Sequence, residues 1–233
     1  MSATTGASMY LVLADGKLMV AGLNSTGQLG LGNITQQTSY VQSNTNVRQV
    51  EAWSGTAILV KEDNTAFASG TNTYGVLGQG NTTQLNIWTA IKTTGGVPIA
   101  NADRVVINAG LQAETAAIIT TSKKIMVAGR NATYELGLSN VTQQNFYIEP
   151  TITQAPFQGL VKDVVLTGNL SGVNFVLTTT GDVWSAGRNA NGNRGIGNIT
   201  APTVALYGNW VKMNYPNLIV NIKGMGLDNN SYI

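Results

Sequence analysis

The sequence contains no cysteine and no histidine, and only 10% of its 233 residues are charged. Without cysteine, neither disulfide bonds nor thiolate chemistry can contribute. Without both residue types, the common general bases and nucleophile pairs are missing, and a metal site would need oxygen ligands. The acidic residues are scattered, with no close pair of the kind that glycoside hydrolysis uses. We therefore expect no catalytic residue, no metal and no cofactor, and we predict that the chain is not an enzyme.

Runs of basic or apolar residues are also missing. The 13 basic and 11 acidic residues leave a formal net charge of +2, so nothing marks a nucleic-acid or membrane-surface binder. No apolar run approaches the length of a membrane-spanning helix. Residues 1–7 lack the pattern of a signal peptide. These absences predict neither a nucleic-acid partner nor a membrane.

Turn-forming and β-forming residues make up much of what is present. The chain has 25 Asn, 28 Thr and 27 Gly, and 43% of its residues are apolar. Such an apolar fraction with so little charge argues against disorder. Many short strands joined by turns are the expected result.

Two sets of landmarks show that the chain is a tandem repeat. Four segments share the pattern Gly-x-Asn-x-x-(Gly)-x-Leu-Gly-x-Gly-Asn-x-Thr, and their first glycines are separated by 48, 59 and 58 residues: Gly22, Gly70, Gly129 and Gly187. A second set of glycines follows β-branched pairs at steps of 55, 58 and 58: Gly55, Gly110, Gly168 and Gly226. Two markers with one period predict units built from several strands each.

Each unit is predicted to contain a β-branched strand, a hairpin and a return strand that enters the Gly-x-Asn loop. The two-residue hairpin turns are Asp15-Gly16, Asp63-Asn64, Ser122-Lys123 and Thr180-Gly181. No helical periodicity is present. A period of about 50 residues with several strands per unit is typical of a β-propeller.

The stretch from Asn24 to Gly32 matches nearly residue for residue the repeat of a known family. Over residues 6 to 226 the chain resembles the regulator of chromosome condensation repeat family. The resemblance implies an all-β fold, a β-propeller with four blades and the start of a fifth. The blade cores fall at about residues 6–55, 56–110, 111–168 and 169–226 of a single repeat domain, 1–233, with 227–233 opening a further blade.

Family members usually close a ring of seven blades, so four blades predict an incomplete ring. The missing blades would come from the rest of a longer chain or, as an alternative, from further copies of this one. The fold hosts many unrelated functions, so the resemblance does not by itself indicate what the chain does.

The recurring glycine and asparagine positions are interpreted as structural. Gly27-x-x-Gly-x-Gly32 lacks the lysine of a phosphate-binding loop and recurs in other blades, so we expect tight turns with positive φ. The asparagines fall into two series with equivalent positions, and side-chain bonds to the backbone are predicted for both. The series are Asn24, Asn72, Asn131 and Asn189, and Asn33, Asn81, Asn140 and Asn198.

Departures from the repeat are the candidates for a ligand or partner surface. Tyr134 stands where other units have glycine, so we expect a differently shaped loop there. Arg194 replaces a leucine, so we expect it to be exposed, paired or at an interface. Arg130 and Arg188 share one position in neighbouring blades. Together with Tyr134 and Arg194 they would form a small basic and aromatic surface on blades three and four. Ordinary solvated surface is the alternative.

The four tryptophans show no common repeat position in the sequence. Trp88 and Trp210 follow the Asn-x-Thr loops, and we expect them to be partly exposed. Exposed aromatic rings are common in sugar-binding sites, although packing between blades is the alternative explanation.

Three functions remain open. The first is a structural or binding module of a phage virion, such as a tail fibre, spike or decoration protein. It would bind neighbouring virion proteins or a host-surface receptor such as a glycan, and would be located in the virion or at an extracellular surface. The second is a repeat region of a bacterial surface adhesin that binds glycans or matrix. The third, implied by the resemblance, is an intracellular interaction propeller of the exchange-factor type.

Overall fold

The computed structural model describes residues 7–108, 115–167, 172–189, 191–197, 208–215 and 217–222. Its secondary structure is entirely β. The first seven strands are β1 (Ser8–Val12), β2 (Leu18–Gly22), β3 (Gln37–Asn44), β4 (Val47–Trp53), β5 (Thr56–Lys61), β6 (Ala66–Gly70) and β7 (Leu85–Ala90). The others are β8 (Ala102–Ile107), β9 (Thr115–Thr120), β10 (Ile125–Gly129), β11 (Gln144–Ile148), β12 (Val161–Leu166), β13 (Val173–Thr178), β14 (Val183–Gly187) and β15 (Val211–Lys212).

The strands form four antiparallel sheets that follow one another like propeller blades. The first sheet has three strands, β1-β2-β3, and the second, third and fourth have four each, β4 to β7, β8 to β11 and β12 to β15. Over the described residues, the sheets do not close into a ring. The predicted all-β propeller with an incomplete ring is therefore confirmed.

Each four-stranded sheet begins with the β-branched strand that precedes a hairpin. The predicted blade cores instead begin with the hairpin, so they divide the same repeat one strand later. Several predicted landmarks lie outside the described residues: Gly110, Gly168, Gly226, the loop end 198–200 and the proposed fifth-blade start 227–233.

The hairpins lie where the sequence predicts them, but each loop has three residues and not the predicted two. The second residue of each predicted pair has positive φ, with values of 76°, 64°, 58° and 82° for Gly16, Asn64, Lys123 and Gly181. The Gly16 N–H donates to the carbonyl of Leu13 at 2.9 Å, which closes the first turn. The N–H of Leu13 also donates to the carbonyl of Lys17 at 2.9 Å, so the loop has three residues: a turn at Ala14 and Asp15, followed by Gly16 in the left-handed region.

Cores form between successive sheets because strand side chains alternate between two faces. In β5, Leu59 belongs to the core shared with the first sheet, whereas Ile58 and Val60 belong to the core shared with the third. Ile119 of β9 packs toward the fourth sheet in the same way. Each fully buried aliphatic side chain of this kind contributes about 1.5–3 kcal/mol relative to exposure.

The antiparallel order places two kinds of connection at opposite ends of the sheets. Loops 23–36, 71–84, 130–143 and the described part of the fourth loop join third strands to outer strands at one end, which we call the Asn-loop face. The hairpin turns and the connections between sheets lie at the other end, which we call the turn face. Among the residues described, no helix is long and apolar enough to span a bilayer.

Candidate binding surface

The Asn-loop face is built on one buried asparagine per blade. Each of these side chains accepts a backbone N–H five residues later at 2.9–3.0 Å: Asn24, Asn72, Asn131 and Asn189. The amide of Asn72 also donates to the carbonyls of Asn81 and Thr83, at 3.0 and 3.1 Å. The predicted side-chain bonding is confirmed, and it holds both ends of the loop to one buried amide.

The second asparagine of each loop shapes an exposed tip. Asn33, Asn81 and Asn140 each accept the N–H of a threonine two residues later at 2.8–2.9 Å. The residue between them points to solvent, and Ile34 and Val141 are 59% and 50% exposed. The face therefore presents uncharged, hydrogen-bonded tips at equivalent places in successive blades.

Tyr134 keeps the loop shape of the glycines that it replaces, so the expected change of shape is wrong. Its φ is 64°, beside 72° and 77° for Gly27 and Gly75. Its N–H donates to Asn131 and its carbonyl accepts from Gly137, at 3.2 and 3.0 Å, as in the other loops. The backbone frame therefore overrides the preference of a tyrosine for negative φ.

Room for the Tyr134 side chain comes from the next blade. A Cβ on Gly27 would lie 2.4 Å from the Cα of Asn86, in the outer strand of the second sheet. At the third junction, the residue equivalent to Asn86 is Gly208, because Gly208 accepts the N–H of Ser139 as Asn86 accepts that of Gly32. Gly208 lacks the Cβ that at Asn86 would lie 2.6 Å from the added atom, so part of this overlap is absent at the third junction.

Arg194 is a buried structural residue and contributes nothing to an exposed surface. It is fully buried, although it replaces the leucines at 29, 77 and 136. Its Nε donates to the hydroxyl of Ser185 at 3.3 Å, and its Nη2 donates to the carbonyl of Ser185. Of the expected outcomes, pairing is the one observed, because a buried guanidinium needs acceptors.

Arg130 forms an ion pair inside the third loop. Its Nη1 lies 3.3 Å from Oε1 of Glu135, and the two side chains are 15% and 3% exposed. The Oε2 atom of Glu135 also accepts the N–H of Thr133 at 2.7 Å, as the side chain of Gln28 does from Thr26 in the first loop. Sequence reasoning missed Glu135, whose signal was an acid at a position occupied by Gln28 in the first blade.

Arg188 lies half-buried after β14, at the place that Arg130 occupies after β10. With Tyr134 these arginines fall in corresponding parts of adjacent loops on the Asn-loop face. The structure therefore leaves Arg130, Tyr134 and Arg188 as candidate surface residues. Their role in binding stays a prediction.

Trp88 and Trp210 occupy the same place in their blades, contrary to the interpretation of the sequence. Both stand in or beside an outer strand, and a Cβ on Gly30 or Gly137 of the preceding loop would strike their indole rings at 2.2 and 2.4 Å. Trp210 is only 3% exposed and packs edge-on to Phe157 at 5.4 Å, so its expected exposure is wrong. Trp88 is half-buried and donates to the hydroxyl of Ser43 at 2.7 Å. The alternative of packing between blades is the one observed.

Tyr147 holds this place in the intervening junction. It is fully buried, its hydroxyl donates to the carbonyl of Val76 at 3.0 Å, and burial raises the pKa of its phenol well above the usual range. An aromatic ring against a loop glycine is thus a regular feature of the blade junctions.

Charged groups concentrate near the turn face, where they neutralise one another. Ion pairs join Asp103 to Arg48 and Lys123, Asp182 to Lys212, and Asp163 to Arg104. The hydrogen bond from Lys123 holds the pKa of Asp103 below its usual value. Within the described segments, no group of three Asp or Glu residues could hold a metal ion. The carboxylates therefore serve as partners of cations.

Solved structures share this arrangement of sheets. Human WBSCR16 superimposes with a TM-score of 0.65 at 18% identity, over 94% of this chain and 54% of the other. Prp20p from Saccharomyces cerevisiae gives 0.62 at 13% identity, covering 90% and 49%, and yeast RCC1 (Prp20) bound to Kap60 gives 0.64 at 14% identity, covering 94% and 49%. The chain has the fold of the regulator of chromosome condensation repeats.

This regulator-of-chromosome-condensation-like chain spans about half the length of the structures that it matches. A scan against family models and a search of curated proteins found no match to its sequence. At these identities the likeness concerns the fold.

Proposed function

We propose that the chain is a non-enzymatic binding or structural module of a phage virion, which engages a host surface or neighbouring virion proteins. The observation that carries the non-enzymatic part of the proposal is that carboxylates of the chain form ion pairs with cationic side chains. Asp103 lies in the third sheet and Asp163 and Asp182 lie in the fourth. Each of the three is paired with a cation, and Glu135 is buried against Arg130. General acid–base catalysis needs a positioned group that is free to exchange a proton.

The binding surface in this proposal is the Asn-loop face. Its tips are exposed, and their backbone is fixed by hydrogen bonds from buried asparagines. A surface that is already ordered loses little conformational freedom when a partner binds. Tyr134 and Arg188 would give its third and fourth blades a local aromatic and cationic character, beside Arg130, whose charge is paired with Glu135.

The virion setting is supported by composition. A chain without cysteine or histidine and with 10% charge does not depend on redox state, and no side chain with an ordinary pKa near neutrality is present. Such a chain suits a rigid β-structure exposed outside a cell. An adhesin would have the same composition, and the Prp20p structure, which concerns binding to Gsp1p and histones, favours an intracellular binding propeller instead.

Localisation separates these candidates. We expect quantitative mass spectrometry of purified particles from the source to find the chain at a fixed number of copies per particle. Recovery in the cell-wall fraction would instead support the adhesin, and specific retention on an immobilised small GTPase would support the exchange-factor type. Absence from purified particles would exclude the virion proposal.

The Asn-loop face is tested separately by binding. The triple variant Arg130→Ala, Tyr134→Gly, Arg188→Ala should lose binding to host cells, measured with labelled protein. The matched control is Lys17→Ala and Lys124→Ala on the turn face, which should bind like the wild type. Equal loss in both variants would exclude the Asn-loop face as the binding surface.

A further inference from the structure

The first sheet exposes apolar side chains that are buried in the other sheets. Met9, Leu11, Val12 and Leu13 of β1 and its turn are 50%, 41%, 38% and 42% exposed. In β5, the residues at the positions of the first three are fully buried: Ala57, Leu59 and Val60. Within the described residues no strand pairs with the outer edge of β1, so both the edge and the face beside it are uncovered.

The other end of the row of sheets carries the strand that the first sheet lacks. Ile219 donates its N–H to Gly181 at 3.0 Å, as the first residue of β4, Val47, donates to Gly16 at 2.9 Å. Ile222 is buried against the fourth sheet in the core of Phe175. Segment 217–222 thus has the place of an inner strand, and Lys162 donates to its Val220 carbonyl as Arg48 donates to that of Ala102.

The blade junctions give a second match between the two ends. At the described junctions an aromatic ring of one blade covers a loop glycine of the blade before it: Trp88 on Gly30, Tyr147 on Gly78 and Trp210 on Gly137. The equivalent ring in the first sheet is Tyr40, which is 46% exposed. The equivalent glycine in the fourth loop is Gly195, which is exposed. Among the described residues, a Cβ there would meet Met213 and Tyr215 of its own blade and no ring of another blade.

We propose that a second copy of this chain docks head to tail, with its segment 217–222 completing the first sheet at the edge of β1. In this assembly Tyr40 of one copy covers Gly195 of the other. The pairing of β4 with β5 sets the register, because Val50 lies opposite Leu59 and Gln49 opposite Val60. Ile222 therefore lies opposite Leu11, and Asn221 opposite Val12.

Two features make a second copy the fitting occupant. Both halves of the contact are present on one chain. The interface therefore repeats the junction by which the four sheets of the chain already pack against one another. The chain also covers 54% and 49% of single-chain structures with this fold, so two copies supply about the length of one such structure. Two copies supply eight sheets, one more than the seven blades usual in the family. We therefore expect a head-to-tail contact to close after two copies rather than grow into a filament.

Sedimentation equilibrium of the wild-type chain tests the stoichiometry. We expect twice the chain mass of 24.5 kDa, and a monomer for Tyr40→Glu, which places a charge in the proposed contact. Ile152→Glu, at a residue that is 62% exposed on the turn face, is the matched control and should remain a dimer. Circular dichroism of each variant checks the fold. A monomeric wild-type chain, or a dimeric Tyr40→Glu variant with native circular dichroism, would overturn the proposal.

Cross-linking tests the register and the direction, because any introduced cysteines are the only thiols in the chain. Val12→Cys and Asn221→Cys, mixed and oxidised, should give a covalent dimer, whereas each variant alone should not. A dimer from Val12→Cys alone would show a head-to-head contact. A doubly substituted chain that cross-links only within itself would show closure of one chain. Either result would overturn the head-to-tail assignment.

Discussion

The first and third Asn loops have the same backbone but place a side chain on opposite sides of their blade junction. In the first, Gly27 faces Asn86, and a Cβ on the glycine would lie 2.4 Å from the asparagine Cα. In the third, Tyr134 at φ 64° faces Gly208. In each of these two junctions, one of the two facing positions carries a side chain and the other is a glycine. Either blade can supply that side chain.

This difference shows that the unit with a fixed geometry is the junction between blades. A substitution that is strained within its own loop is tolerated when the neighbouring blade makes room. Positive φ at a tyrosine still costs about 1–3 kcal/mol, and the surrounding hydrogen bonds must maintain it. For Tyr134, the buried amide of Asn131 supplies that frame through the N–H of Leu136 at 3.0 Å.

The largest expected effect comes from placing a tyrosine in the first loop, at the position that Tyr134 occupies in the third. Gly27→Tyr should destabilise the chain by about 3 kcal/mol or more, because strain at positive φ and overpacking each cost about 1–3 kcal/mol. Adding Asn86→Gly should recover a part of the overpacking cost, because it removes the Cβ at 2.6 Å but leaves the Cα at 2.4 Å. Chemical denaturation of both variants measures the two contributions.

A matched pair in the third loop serves as the control. Tyr134→Gly should change stability by less than about 1 kcal/mol, because relief of strain offsets the lost contacts. Gly208→Asn with Tyr134 retained should destabilise the fold as Gly27→Tyr does. If Gly208→Asn is neutral, the exchange across the junction is wrong.

The next largest effect tests what the two loops have in common. Asn72→Ala should cost about 2–4 kcal/mol, since it removes the acceptor of Leu77 and leaves the carbonyls of Asn81 and Thr83 without their donor. Asn81→Ala, in the exposed tip, should cost only about 0.5–1 kcal/mol. Equal losses in thermal unfolding would contradict the assignment of the buried asparagine as the centre of the loop.

The sequence predicted the features that depend on one blade alone. The positions of the hairpins and the bonding of both asparagine series follow from local chemistry that repeats along the chain. The residues of a single blade were therefore sufficient to predict them. Tyr134 and Trp210 were misjudged because each depends on the neighbouring blade: Gly208 makes room for one, and Gly137 and Phe157 bury the other. The offset between repeats, which aligns Trp88 with Trp210, became clear only from strand register.

Arg194 gives a smaller test, because it departs from the repeat without changing the loop. Arg194→Leu restores the residue of the other three blades and should change stability by no more than about 1 kcal/mol in either direction. Replacing a buried charge by an apolar side chain of similar size is often neutral or stabilising. Arg194→Ala is the control and should destabilise clearly, since it leaves a cavity. A large loss in Arg194→Leu, seen by urea unfolding, would show that the guanidinium supports the fourth blade specifically.

The smallest effect concerns the ion pairs of the turn face, which the Asn loops lack apart from Arg130 and Glu135. The pKa values of Asp103 and Asp182 are lowered by hydrogen bonds from Lys123 and Lys212. A carboxyl group whose pKa is lower in the folded state stabilises the fold at pH values above its unfolded-state pKa, which is near 3.8. This stabilisation is lost as the pH falls through the folded-state pKa. Because these groups are partly exposed, solvent screening keeps the loss small.

With no histidine to titrate, we expect a flat melting temperature between about pH 5 and 8 and a modest decrease below about pH 4. Lys123→Ala should reduce that decrease, whereas a steep change near pH 6 would mean that another buried group controls the stability of the turn face.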